Sequence, residues 1–115
     1  MPLFFKNCRE MKSTHYSNAG AKENPHGVDV KVMYNDPSAQ ALLITLQPGQ
    51  SMKPHTTPVD VFFFVFEGTA TVHIGEETES FVSGYLIESP KDIIHYLSNE
   101  SEAPARVLVV KAPRP

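Results

Sequence analysis

The chain is poor in most features that would announce a function. It has one cysteine, Cys8, in 115 residues. That excludes an intramolecular disulfide framework and a thiolate-rich zinc site. It has no excess of positive charge: 10 Lys and Arg stand against 13 Asp and Glu, a formal net charge of −3. A general binder of nucleic acid or anionic membranes needs a basic surface, so neither partner is expected. Long apolar stretches are missing too. Leu3, Phe4 and Phe5 are followed at once by Lys6, Asn7 and Arg9. Such a run is too short for a signal peptide or a membrane span, and the expectation is a soluble, cytoplasmic protein. No Gly-rich phosphate loop, low-complexity tract, internal repeat or second domain is visible. Ten prolines and six glycines favour many turns, and 41% hydrophobic residues suffice for a core.

What is present reads as all-β, with short apolar runs separated by turn formers. Residues 1–26 read as an irregular arm with at most one short strand, at Leu3–Lys6. Residues 27–115 read as a single barrel domain. Val28, Val30, Val32 and Tyr34 alternate on one face of the first barrel strand, and Asn35-Asp36-Pro37 ends it. Further strands are expected at Gln40–Leu46, Val59–Phe66, Thr69–Ile74, Thr78–Val82, Tyr85–Glu88, Ile94–Leu97 and Ala105–Lys111. Turn signals every 8–12 residues suggest a sandwich or barrel. The run Val61–Phe66 reads as a strand apolar on both faces. Leaving Phe62, Phe64 and Phe66 all in water would forgo roughly 1.5–3 kcal/mol per side chain, so the second face is expected to be covered by another subunit in a homodimer. The first face, with Phe63 and Val65, walls the barrel interior.

Five histidines could carry chemistry. His55 follows Pro48-Gly49-Gln50-Ser51-Met52-Lys53-Pro54, between one strand and the aromatic one. His95 lies in the segment from Gly84 to Asn99. Gly84, Pro90, His95 and Asn99 fall at the spacing Gly, five residues, Pro, four residues, His, three residues, Asn. Here the chain resembles the cupin superfamily, whose second motif has this spacing with a further Gly where Asp92 stands. Asp tolerates left-handed backbone better than most residues, so the turn can survive. In the first cupin motif Gly49, His55 and Gly68 match, while Thr57 stands where the second His belongs and Val61 where the Glu belongs. The resemblance covers roughly Gln40–Lys111.

The resemblance implies a small antiparallel jelly-roll β-barrel. It also implies a divalent transition metal (Fe, Mn, Zn or Ni) held by histidines and a carboxylate, a ligand set suited to such ions. On this chain His55 and His95 carry over. Asp60 would complete the set if a bulge turned it inward; a histidine of the arm or a bound molecule are the other third ligands. The competing reading makes His55 and His95 hydrogen-bonded pocket residues. Thr57, Val61, Phe63 and Tyr96 are expected to line the pocket. His73, on the opposite face of its strand, reads as a surface or interface histidine. His15 and His26 read as solvated, Glu67 as exposed, and Glu88 as facing either pocket or water. Asp60 and Glu67 lie seven apart and would not share one face for acid–base work.

Three functions fit. One is a metal-dependent enzyme on a small molecule: an isomerase, decarboxylase or dioxygenase. The second is a non-catalytic barrel that binds a small organic ligand, an acid or a sugar, without metal. The third is a structural or partner subunit with a vestigial pocket. A metal-binding cupin of unassigned activity is the leading expectation.

Overall fold

In the computed structural model, which describes residues 11–115, the chain is all-β, and every strand pairing is antiparallel. The strands are β1 (Gly20–Ala21), β2 (Asp29–Asp36), β3 (Ala39–Leu46), β4 (Asp60–Glu67), β5 (Thr69–Ile74), β6 (Glu77–Val82), β7 (Leu86–Ser89), β8 (His95–Ser98) and β9 (Ala105–Ala112). They form a six-stranded sheet in the order β1-β2-β3-β9-β4-β7 and a three-stranded sheet in the order β6-β5-β8. The expected strand at Leu3–Lys6 and Cys8 lie outside the described residues.

The core is the inward parity of both sheets. Val30 of β2, Leu42, Ile44 and Leu46 of β3, Val61, Phe63 and Val65 of β4, and Ala105, Val107 and Val109 of β9 face Ala70 and Val72 of β5 and Leu97 of β8. Alternation along each strand puts every second side chain there. Full burial of each large apolar side chain contributes roughly 1.5–3 kcal/mol, which makes this shared interior the main source of stability.

Two departures from strict alternation have identifiable causes. Val28 and Val30 are buried, but Tyr34 is exposed. A register shift between Val32 and Tyr34 in the β2–β3 ladder marks a bulge, and one inserted residue reverses the parity beyond it. The arm also supplies β1, a two-residue strand on the free edge of β2 with Gly20 opposite Val32.

Turn chemistry ties the barrel ends. Gly68 has φ 76°, and a Cβ there would collide with the Pro104 carbonyl oxygen, so the β4–β5 turn requires glycine. Asp92 takes φ 64°, the left-handed conformation anticipated for it, and its N–H donates to the Thr57 carbonyl at 2.9 Å. Asn99 is buried at the end of β8. Its amide donates to the carbonyls of Leu46 and Ala103 at 2.9 and 2.8 Å, and its Oδ1 accepts from the Ser101 N–H and hydroxyl. This motif residue is therefore a brace between β3 and the β8–β9 turn.

Candidate functional site

His55 and His95 sit opposite one another in an isolated antiparallel bridge. The His55 N–H donates to the His95 carbonyl at 3.2 Å, and the reverse bond is 2.9 Å. Directly opposed residues project their side chains to the same side, so the rings meet edge-on with centroids 4.8 Å apart. His26, from the arm, adds a third ring 5.0 Å from His55. His26 is thus not the solvated histidine expected from its polar surroundings, but a half-buried ring packed on His55. The Asn24 amide donates to the Val28 carbonyl and its Oδ1 accepts the His26 N–H, which folds the loop back onto the barrel mouth. The Lys53 N–H then donates to His26 Nδ1 at 2.8 Å.

These bonds fix the ring nitrogens. His26 Nδ1 accepts a backbone N–H, so the neutral ring carries its proton on Nε2. His55 Nδ1 lies 2.9 Å from the Lys53 carbonyl, which can only accept, so that nitrogen is protonated and the neutral tautomer would have its lone pair on Nε2. Neither Nε2 has a protein partner among the described residues. His95 is different, because both its nitrogens are taken. Nε2 is 3.0 Å from Thr57 Oγ1 and Nδ1 is 2.6 Å from Ser89 Oγ, with all three residues buried. Burial, then the neighbouring His55 and Lys111, lowers the His95 pKa to about 4, so the ring is neutral at pH 7. His26 is lowered from its usual value for the same first reason.

The rings border a cavity of about 260 Å³. Its floor is apolar: Val30, Leu42, Ile44, Met52, Val61, Phe63, Leu97 and Val109. Phe63 meets the His95 ring edge-on at 5.4 Å. Val61, Phe63 and Tyr96 border this space, although the Tyr96 ring stacks flat on His73 at 3.9 Å. Thr57 is not part of the lining and is instead buried against His95. Lys22, Glu23 and Lys111 complete the rim. Lys111 was not anticipated as a site residue, yet it has the parity of Ala105, Val107 and Val109 along β9, and that parity was readable.

The structure does not bring Asp60 to this place. Val61, Phe63 and Val65 face inward, so Asp60 faces outward, where its Oδ1 accepts the Lys91 N–H at 3.0 Å. The irregularity in β4 lies between Val65 and Glu67, at the far end of the strand, and cannot turn Asp60. Glu88 also faces out, between half-buried Ile87 and buried Ser89. Glu67 pairs with Arg106 at 2.8 Å on the surface. His73 is half-buried on the outer face of the small sheet, bonded to Thr78 and Ser98.

The expected metal set therefore does not assemble. Among the described residues no group of three or more His, Cys, Asp or Glu side chains is placed to hold a metal ion. Of the donors that are present, His95 already spends both nitrogens on hydroxyls.

The Cupin domain family matches residues 42–111. The chain is a cupin. It is similar in structure to the TT1209 protein of Thermus thermophilus, with 31% identity over 91% of this chain and 100% of that one, at TM-score 0.79. It shares its fold with an RmlC-like cupin of Methanocaldococcus jannaschii, 21% identical over 83% of this chain and 88% of that one, at TM-score 0.71. It also shares it with KdgF from a Halomonas species, 18% identical over 92% of this chain and 96% of that one, at TM-score 0.78. A search of curated proteins found no match. Members of this family often bind metals. No helix among the described residues is long and apolar enough to cross a membrane.

Proposed function

We propose that this cupin binds a small organic molecule in the barrel cavity through apolar contact and hydrogen bonds, without a metal ion as intermediary. The carrying observation is the state of His95. Thr57 replaces the second histidine of the first motif and occupies His95 Nε2, while Ser89 occupies Nδ1. A metal ligand needs a free nitrogen lone pair, so coordination would cost one of two buried hydrogen bonds. It would also leave a hydroxyl unsatisfied, at about 1–3 kcal/mol. What remains suits an organic ligand: an apolar floor, a lone pair on His55 Nε2 and an N–H on His26 Nε2. At the roughly 30 Å³ that one water occupies in the liquid, the cavity holds a molecule of on the order of ten non-hydrogen atoms.

The test is an NMR titration with pentanoate, pentanol and pentanamide, alongside zinc and manganese chlorides. Support would be organic probes shifting His55, His26, Phe63 and Val109 together, with neither metal perturbing the His95 ring. The reading is overturned if a metal ion broadens or shifts His55 and His95 stoichiometrically and the organic probes leave the cavity residues unmoved.

A further inference from the structure

The rim of the cavity carries an electrostatic arrangement that an apolar pocket does not need. Lys111 stands at the inward parity of β9, after Val107 and Val109, and borders the cavity. Lys22 reaches the same cavity from the arm, where its N–H is fixed to the Val30 carbonyl at 2.8 Å. Placing a lysine at the end of an inward row costs solvation, and two like charges at one rim add repulsion. Lys22 is exposed and Lys111 half-buried, so the cost falls mainly on Lys111. Among the described residues the ion pairs are Lys31–Asp29 and Arg106–Glu67, and neither rim lysine is in one. Glu23 also borders the cavity, yet it lies within ion-pair distance of neither lysine. Two lysines and one glutamate leave the rim with a net charge of +1.

Resting on the reading of the cavity as an organic-ligand site, we propose that its ligand is a small monocarboxylate, with the carboxylate at Lys111 and Lys22 and the apolar body on Val30, Ile44, Phe63 and Val109. A carboxylate between the two ammonium groups turns their repulsion into two charge-assisted contacts. It matches the single net charge of the rim, which a dianion would exceed. The apolar floor then accepts a chain or ring. Burial, with Lys22 beside it, holds the Lys111 ammonium below the usual lysine range, in keeping with a cation lacking its partner.

The experiment is calorimetry on the full chain with pentanoate and the isosteric neutral pentanamide, in wild type, Lys111→Met and Lys22→Met. Met keeps most of the apolar stem of lysine, and pentanamide binding reports that the cavity is intact. Pentanoate is expected to bind at least roughly tenfold tighter than pentanamide. Lys111→Met should remove that advantage, bringing pentanoate to the level of pentanamide, and Lys22→Met should reduce it several-fold. Inorganic phosphate should not displace pentanoate at equal concentration. Equal binding of the two probes, insensitive to both lysine variants, would overturn the carboxylate assignment and leave the organic-ligand reading standing. Competition by phosphate as strong as by a second carboxylate would overturn it as well, in favour of a general anion site. Binding of neither probe to the wild-type protein would overturn both readings together.

Discussion

Thr57 Oγ1 and His95 Nε2 lie 3.0 Å apart in a buried contact between the first and second motif segments of the barrel. Ser89 closes the other side of the ring at 2.6 Å. The imidazole is thus oriented by two hydroxyls, each able to donate or accept, and one must do each when the ring is neutral. Thr57→Val keeps the shape and removes the bond, which leaves one ring nitrogen buried and unpaired. The expected cost is about 1–3 kcal/mol in urea unfolding, and Ser89→Ala should cost a similar amount. The double variant should cost less than the sum, because the two hydroxyls serve one ring. Strict additivity would mean that the ring is not held as a unit.

How far this site could be read beforehand differs residue by residue. His55 and His95 were legible through the resemblance to the two cupin motifs, which put both in one barrel; spacing alone would not have joined residues so far apart in the chain. The left-handed turn at Asp92 was legible from side-chain chemistry. His26 was not, since a polar loop has no period to say where it folds; the three bonds of Asn24 and Lys53 that place it are contacts of the folded state. β1 has two residues and no periodicity at all. Tyr34 was assigned to the wrong face because a bulge leaves no mark in the alternation before it. Lys111 was available: the row Ala105, Val107, Val109 continues to it without interruption. A lysine at that parity was worth singling out.

Acid should destabilise the protein through His95. The ring has its pKa lowered from 6.5 to about 4 in the folded state, so below pH 6.5 the unfolded chain binds the proton and the folded one does not. Stability is then complete above pH 6.5 and falls as pH drops from there towards 4. The loss approaches roughly 3 kcal/mol at the lower limit, with His26 adding in the same direction. The check is the urea midpoint at pH 7.5, 6, 5 and 4, together with NMR titration of the His95 ring. A ring that titrates at 6.5 would contradict the burial argument.

Rebuilding the family's missing ligands should create a metal centre. Thr57→His frees His95 Nε2 from its hydroxyl and supplies an imidazole. Val61→Glu supplies a carboxylate from the inward parity of β4, at a position that borders the cavity. The double variant is expected to retain near one equivalent of a first-row metal per chain after dialysis against zinc or manganese. Wild type should retain less than about a tenth of that. Metal content by plasma mass spectrometry on protein purified without a metal-binding tag decides it, and stoichiometric metal in wild type would reverse the argument.

The outer face of the large sheet should carry the association that the apolar β4 run led us to expect. Phe64 lies in register with Leu86 on one side and Leu108 on the other, and Phe62 lies opposite Val110. Phe62, Phe64, Leu108 and Val110 are only partly buried, and Leu86, on the edge strand, is 51% exposed. A row of this kind across three strands gains by covering itself with a second copy, in a two-fold arrangement that sets the same row against itself. Light scattering after gel filtration is expected to give twice the 12.8 kDa chain mass. Phe64→Glu with Leu86→Glu puts like charges into that row on both copies, and should yield a folded monomer that keeps the barrel cavity. A wild-type monomer at micromolar concentration would mean that the face is tolerated in water, at a cost the barrel core makes good.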